Sequence, residues 1–206
     1  MLKTLIVPGL DGSGPDHWQR EWALNDETAD IVEQEDWARP DLAGWLHTLE
    51  ARIVEAPGAV LVAHSLGCAL VAHLADRPAA AHVAGALLVA PAQTLRLAEA
   101  RPDLADFRLM ELKRLPFPSI LAASRNDPYL TWPEAEAHAA GWGSALVDLG
   151  HAGHVNTQSG YGPWPDGPVL ADGLRGDRPG RARAWRWWSA VPGVPGPAHD
   201  VGLGLN

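Results

Sequence analysis

The sequence predicts an α/β fold with a mainly parallel central sheet flanked by helices. Short apolar runs alternate along the chain with longer segments of helical periodicity, which is the pattern of repeated βαβ units. One run, AVLVAHS at residues 59–65, is apolar over almost its whole length, as expected of a strand covered on both faces of a sheet. With 206 residues, 47% hydrophobic and 20% charged, the chain is long and apolar enough to enclose one core.

Six short apolar segments are predicted as strands. They are residues 4–10, 29–37, 59–65, 82–91, 117–127 and 144–150. Four longer segments are predicted as helices, and they are residues 15–24, 39–56, 66–77 and 133–143. The clearest helix is 39–56, because its apolar residues recur at intervals of three or four: Leu42, Trp45, Leu46, Leu49 and Ile53. Residues 93–115 are predicted either as one irregular helix or as a small cap.

The chain changes character near its end. Residues 1–170 are predicted to form one domain, and residues 171–206 an irregular tail. The tail is rich in Gly, Pro and Arg and shows no sustained period of 3.6 residues. We hypothesise that it is either disordered or an aberrant extension of the reading frame.

The net charge and the lengths of the apolar runs limit the classes of binding partner that are expected. The formal net charge of −9 argues against a nucleic-acid partner, which would require a basic face. No apolar run approaches the roughly 18 residues of a membrane span, so no membrane partner is expected. The first residues lack the apolar core and small-residue cleavage site of a signal peptide, so a cytoplasmic location is expected. The single cysteine, Cys68, is expected in the core, and no His, Asp or Glu grouping has the spacing of a metal site.

The segment Ala63-His64-Ser65-Leu66-Gly67 lies between a predicted strand and a predicted helix. A nucleophilic serine is held on such a tight strand-to-helix turn by the pattern G-x-S-x-G, in which small neighbours tolerate a strained backbone. Ala63 occupies the first glycine position. Ser65 is therefore either a nucleophile or an ordinary helix N-cap. His64 is expected to point away from the serine hydroxyl.

The order of later residues favours the nucleophile. In this class of fold an acid and then a base follow the serine, each after a later strand. Asp127 follows the strand ILAAS, although an aspartate before proline is also typical of a turn. His151 and His154 both follow the strand SALVDLG, and either could be the base. Three residues in the required order, each at a strand end, predict a Ser-His-Asp triad.

A Gly-rich loop, PGLDGSG at residues 8–14, follows the first strand. One backbone N–H of an oxyanion hole comes from this place in the fold, and the other from the residue after the nucleophile. Leu10 and Leu66 are the predicted donors. A phosphate-binding loop is the alternative, but the segment lacks both GK[ST] and G-x-G-x-x-G.

Four separated segments resemble a family of small serine hydrolases that includes retinoblastoma-binding serine hydrolase and the bacterial YdeN-like proteins. They are PGLDGSGPDHWQREW, VAHSLGC, SRNDPY and GHVNTQSGYGPWPDG. The resemblance implies an α/β-hydrolase fold with minimal or no cap, acting on ester or amide bonds without a cofactor. By position it implies Ser65 as nucleophile, Asp127 as acid and His154 as base, with His151 as the alternative base. The family continues with a closing helix, which Pro168 and the tail are expected to replace here.

Several neighbouring residues have secondary roles. His17 either lines the substrate pocket or packs at a helix end, and Trp164 either walls that pocket or anchors the chain. Asn156 and Ser159 are expected to hold the histidine loop by hydrogen bonds. The predicted function is a carboxylesterase-like serine hydrolase acting on a small-molecule ester or amide. A peptidase and a non-catalytic interaction module on the same fold are the alternatives.

Overall fold

The computed structural model describes residues 2–175. All six predicted strands are present, with shorter bounds than the apolar runs suggested. They are β1 (Thr4–Val7), β2 (Ala29–Ile31), β3 (Ala59–His64), β4 (Val83–Val89), β5 (Ser119–Ala123) and β6 (Ala145–Asp148). The strands form one sheet in the order β2-β1-β3-β4-β5-β6, and every neighbouring pair is parallel. The prediction of a parallel α/β sheet is confirmed.

The central strand β3 is buried along its whole length. Its side chains alternate between two separate cores. Leu61 and Ala63 face one core, whereas Val60 and Val62 face the other. A parallel strand covered by helices on both sides needs apolar residues at every position, which explains the continuous apolar run.

Within residues 2–175, six α-helices cover the two faces of the sheet. They are α1 (Trp18–Asn25), α2 (Leu42–Glu55), α3 (Leu66–Ala72), α4 (Thr94–Ala100), α5 (Trp132–Trp142) and α6 (Asp166–Gly173). The predicted stripe of α2 is buried at Trp45, Leu46, Leu49 and Ile53, and Asp41 caps the helix by accepting from the Gly44 N–H. Among the described residues, no helix combines the length and the apolar character that crossing a membrane requires.

The segment between β4 and β5 contains α4 followed by a 3₁₀ helix, Pro102–Phe107. Leu104 and Phe107 of this 3₁₀ helix are buried in the same core as α2 and α3. The two alternatives predicted for residues 93–115 thus resolve into two short helices that pack on the body of the protein.

The prediction that Pro168 and the tail replace a closing helix is wrong, because α6 runs across the predicted domain boundary at residue 170. Pro168 lies in the first turn of α6. Backbone N–H groups in the first turn have no acceptor within the helix, so the N–H that proline lacks removes no helical hydrogen bond. Leu170 and Ala171 are buried against the sheet. The remaining tail prediction, for disorder or an aberrant extension, falls on residues 176–206 and lies outside the described residues.

Candidate active site

Ser65 lies on the turn between β3 and α3, at the centre of the sheet. Its backbone has φ 53° and ψ −121°, a strained conformation that non-glycine residues rarely adopt. An N-cap serine has an extended backbone and accepts a hydrogen bond from the helix, whereas the Ser65 side chain makes no such bond. The strained turn instead lifts the hydroxyl above the sheet, as in a nucleophile elbow.

The Ser65 hydroxyl points at His154, with Oγ 2.8 Å from Nε2. The other ring nitrogen, Nδ1, lies 3.0 Å from each carboxylate oxygen of Asp127. Because a carboxylate only accepts, Nδ1 carries the proton and the bare Nε2 accepts from the serine hydroxyl. The side chains of His154 and Asp127 are 7% and 2% exposed, so little solvent screens their interaction. The geometry is that of a nucleophile, a base and an orienting acid.

Asp127 is held in place by its own loop. Its Oδ1 accepts the Tyr129 N–H at 2.8 Å, and the Tyr129 ring packs on the His154 ring with centroids 4.5 Å apart. The turn chemistry predicted for an aspartate before proline is therefore present together with the contact to His154.

His151, the alternative base, is exposed, and no hydrogen bond joins it to Ser65 or Asp127 in the described part of the chain. His154 occupies the position of the base instead.

The predicted oxyanion donors lie on two segments that touch. A Cβ added to Gly9 would lie 2.9 Å from the Leu66 nitrogen and 3.0 Å from the Ser65 Cβ, so the loop after β1 runs directly against the elbow. Only glycine permits this approach. Within residues 2–175, the N–H groups of Leu10 and Leu66 have no hydrogen-bond acceptor. Both amides are therefore available to a ligand.

Gln19 is completely buried and links β1 and β3 to the predicted oxyanion loop, residues 8–14. Its Nε2 donates to the carbonyls of Val7, the last residue of β1, and Val62, within β3. Its Oε1 accepts from the Ser13 hydroxyl at 2.6 Å. The sequence does not predict this role, because a helical glutamine is usually exposed. The signal that could have found it is its place in the motif PGLDGSGPDHWQREW.

The loop that carries His154 is fixed at successive amides. Ser159 Oγ accepts the His154 N–H at 2.9 Å and in turn donates to Asn156 Oδ1 at 2.8 Å, which confirms the predicted role of these two residues. Ser124 Oγ and Asn126 Oδ1 accept the next amides upstream, those of Ala152 and Gly153. Both follow β5 in the SRNDPY motif, and their role was missed because it depends on contacts between distant segments.

His17 caps α1, since its Nδ1 accepts the Gln19 N–H at 3.2 Å, and its ring lies 4.9 Å from that of His64. The structure thus gives His17 the helix-end position. Trp164 is buried and packs edge-on against Trp18, with centroids 5.1 Å apart, and against Gly167 of α6. These contacts are those of an anchor for the chain end.

Burial sets the ionisation of the groups around the triad. Desolvation, reinforced by the nearby His154, lowers the pKa of His17 from 6.5 to about 4. The same causes, with His17 as a further neighbour, lower the pKa of His64 well below its usual value. Both rings are therefore neutral near pH 7. Burial raises the pKa of the Cys68 thiol, so this residue is an unreactive core residue as predicted.

No group of three or more potential metal ligands occurs among residues 2–175. A cleft of about 850 Å³ lies beside the edge strand β2, lined by Arg20, Asp30, Glu33 and Arg52 among others. Its charges are already paired, as Arg20 with Glu33 and Arg52 with Asp30, and it contains no triad residue. This cleft therefore lies apart from the predicted site at Ser65.

The family to which this chain belongs follows from its similarity to known proteins. The family model described as serine hydrolase matches residues 4–172. This chain belongs to the serine hydrolase family. Among solved structures, a YdeN-like hydrolase from Pectobacterium atrosepticum is 31% identical with a TM-score of 0.73, over 84% of this chain and 90% of that one. It supports placing this serine hydrolase with the YdeN-like members of the family.

Two further structures share the fold of this serine hydrolase. The ydeN gene product of Bacillus subtilis is 23% identical with a TM-score of 0.67, over 84% of this chain and 97% of that one. A hydrolase of the α/β superfamily from Xanthomonas campestris is 18% identical with a TM-score of 0.57, over 84% of this chain and 96% of that one. None of the curated proteins matches the chain. The α/β-hydrolase fold predicted for the chain is confirmed.

Proposed function

We propose that this member of the serine hydrolase family cleaves carboxylic esters or amides through an acyl-enzyme on Ser65, with His154 as base and Asp127 as its orienting acid. One observation carries the proposal. The Ser65 hydroxyl, on a strained turn, lies 2.8 Å from an imidazole whose other nitrogen is held by a buried carboxylate.

In the first half-reaction, His154 Nε2 takes the proton of the Ser65 hydroxyl while Oγ attacks the carbonyl carbon of the substrate. Asp127 stabilises the imidazolium that forms. The carbonyl oxygen becomes an oxyanion, for which the N–H groups of Leu10 and Leu66 are the proposed donors. The imidazolium then protonates the leaving alcohol or amine, the bond to the leaving group breaks, and the acyl group stays on Ser65 Oγ.

In the second half-reaction, His154 takes a proton from water, and the hydroxide attacks the acyl carbonyl. The same two N–H groups bind the second oxyanion. When this intermediate collapses, the imidazolium returns its proton to Ser65 Oγ and the carboxylic acid leaves. Every proton thus passes through one nitrogen, His154 Nε2, which is the nitrogen that faces the serine.

A small-molecule ester with a short acyl group is the substrate class that we favour, since a chain of this length has little room for an acyl tunnel. The half-buried position of Ser65 is compatible with a small substrate approaching from solvent. The cytoplasmic location stays a prediction.

Hydrolysis of p-nitrophenyl acetate by the wild type, Ser65→Ala, His154→Ala and His151→Ala tests the proposal. We expect the first two variants to lose activity by about 10³-fold or more, because triad members act as a unit. His151→Ala is the matched control, a histidine three residues away in the same loop, and keeps wild-type activity. Full activity of His154→Ala would refute the proposed base.

The two alternatives make different predictions in the same experiment. With peptide substrates added to the assay, a peptidase cleaves them in a reaction that depends on Ser65, whereas a carboxylesterase cleaves only the ester. A non-catalytic module is folded but turns over neither kind of substrate. Turnover of the ester that depends on Ser65 therefore excludes the non-catalytic module.

A further inference from the structure

Val155, directly after the proposed base, has a strained backbone. Its φ is 50°, in the left-handed region that β-branched residues avoid, and its side chain is completely buried. Such a conformation persists only where surrounding contacts over-determine it. The φ and ψ angles of Val155 depend on the orientations of the two peptide groups that flank it. Contacts that hold these two peptide groups therefore hold the strained conformation.

The peptide group before Val155 is held on both sides, because its N–H donates to the Ala152 carbonyl at 3.1 Å and its carbonyl oxygen contacts His64. The His64 Nε2 lies 2.8 Å from the carbonyl oxygen of His154. Since a carbonyl oxygen only accepts, Nε2 must carry the proton and donate. His64 is the residue immediately before Ser65, and its ring is 6% exposed. His64, next to the proposed nucleophile, thus donates a hydrogen bond to the main chain of His154, the proposed base.

The peptide group after Val155 is held by Trp18 of α1. The indole Nε1–H donates to the Val155 carbonyl at 2.8 Å. Together with the Ser159 hydroxyl, which accepts the His154 N–H, these two bonds hold the main chain on both sides of the His154 Cα. The direction in which the imidazole leaves the backbone is therefore set by three side chains, Ser159 from the same loop and His64 and Trp18 from distant parts of the chain.

We propose that His64 is a positioning residue for catalysis, which holds His154 at hydrogen-bond distance from Ser65 through the main-chain carbonyl of His154, with Trp18 as the second support. The role rests on the proposed function of Ser65 and His154. The His64 ring also packs against the His154 ring, with centroids 5.0 Å apart, but within residues 2–175 it makes no hydrogen bond to Ser65. Its loss leaves the His154 carbonyl without a donor, and only the bond from the Val155 N–H to Ala152 then restrains the strained peptide. Partial rotation of this peptide moves Nε2 away from the serine.

His64→Ala, His64→Gln and Trp18→Phe test this role, with the rate of labelling by a fluorophosphonate probe and the kinetics of p-nitrophenyl acetate hydrolysis as readouts. We expect His64→Ala to lower the labelling rate and kcat by about 10- to 100-fold with KM little changed, because displacement of a catalytic group by about 1 Å costs that much. His64→Gln restores most of the loss, since its amide nitrogen can replace the ring Nε2 as donor. Trp18→Phe keeps the aromatic packing and loses only the N–H, so it lowers kcat in the same way.

His138→Ala is the matched control. His138 is buried to the same extent, and its Nδ1 also donates to a backbone carbonyl, that of Glu134 within α5. The control therefore loses a similar amount of stability but keeps the wild-type labelling rate. Thermal unfolding of all four variants separates effects on stability from effects on positioning.

The possible outcomes distinguish this role from the proposed function. A wild type that is not labelled on Ser65 overturns the proposed function and this role with it. A labelled wild type with an unchanged His64→Ala variant overturns the role of His64 alone. Should His64→Ala fail to fold, an unchanged kcat in the folded Trp18→Phe variant also overturns it, whereas a reduced kcat with unchanged KM supports it.

Discussion

Gly67, in the first turn of α3, allows the nucleophile elbow to pack against the oxyanion loop. A Cβ at this position would lie 2.4 Å from the Val7 carbonyl oxygen and 2.6 Å from that of Pro8. Ordinary contact begins at 3.4 Å, so Gly67→Ala forces these segments about 1 Å apart. The displaced atoms are backbone atoms, which cannot rotate out of the way as a flexible side chain could.

The consequences for stability and for activity follow from this displacement. Overpacking of a buried site costs about 1–3 kcal/mol of the free energy of unfolding. Because Leu10 is two residues after Pro8, its N–H moves with the loop. Misplacement by about 1 Å costs about 10²-fold in rate, and complete loss of one oxyanion donor about 10²–10³-fold. We expect a kcat for p-nitrophenyl acetate lower by about 10²-fold or more.

Urea unfolding and ester hydrolysis of Gly67→Ala measure the two effects. Gly14→Ala is the control, since a Cβ there meets nothing within 4 Å although the residue is the last of the oxyanion loop. The control is expected to match the wild type in both assays. A Gly67→Ala variant with wild-type stability and kcat would refute the close apposition of the elbow and the oxyanion loop.

Three further predictions concern the surroundings of the triad. Asp127→Asn should lower kcat by about 10⁴-fold with little change in KM, because an amide does not hold the imidazole in the required tautomer; kcat within tenfold of wild type would contradict the role of Asp127. The pKa of His17 is about 4 in the folded protein against 6.5 in the unfolded chain, so the fold favours the neutral ring. The free energy of unfolding is therefore unaffected by this residue above pH 6.5 and decreases as the pH falls from 6.5 towards 4. His17→Asn keeps an N-cap acceptor and should remove about 3 kcal/mol of this acid sensitivity, measured as the free energy of unfolding from pH 7 to pH 4; an unchanged pH dependence would refute it. Cys68 should react with a thiol reagent only in urea, and rapid reaction in the native protein would contradict its burial.

The proximity of the three residues of the proposed triad could be predicted from the sequence because each of them follows a strand. The carboxyl ends of parallel strands meet at one edge of a sheet, so Ser65, Asp127 and His154 come together although they are far apart in the chain. Chain order alone did not separate His154 from His151. The resemblance to the family favoured His154 as the base. In the structure, His154 is the residue whose Nε2 lies 2.8 Å from Ser65 Oγ.

The supporting residues could not be predicted in the same way. His64 was expected only to point away from the serine hydroxyl, and its partner is a main-chain carbonyl 90 residues further along the chain. Gln19 was missed because its partners are carbonyls of two neighbouring strands, which no local pattern reveals. Pro168 was misread because proline interrupts a helix only beyond its first turn.

The most direct test of the central claim is a measurement of where a fluorophosphonate probe becomes attached. We expect a single adduct on the wild type, which peptide mass spectrometry assigns to Ser65, and no adduct on Ser65→Ala. The strained turn and the contact with His154 are the reasons for expecting this serine alone to react. An adduct that persists in folded Ser65→Ala, or a folded wild type that is not labelled, would contradict the claim that Ser65 is the nucleophile.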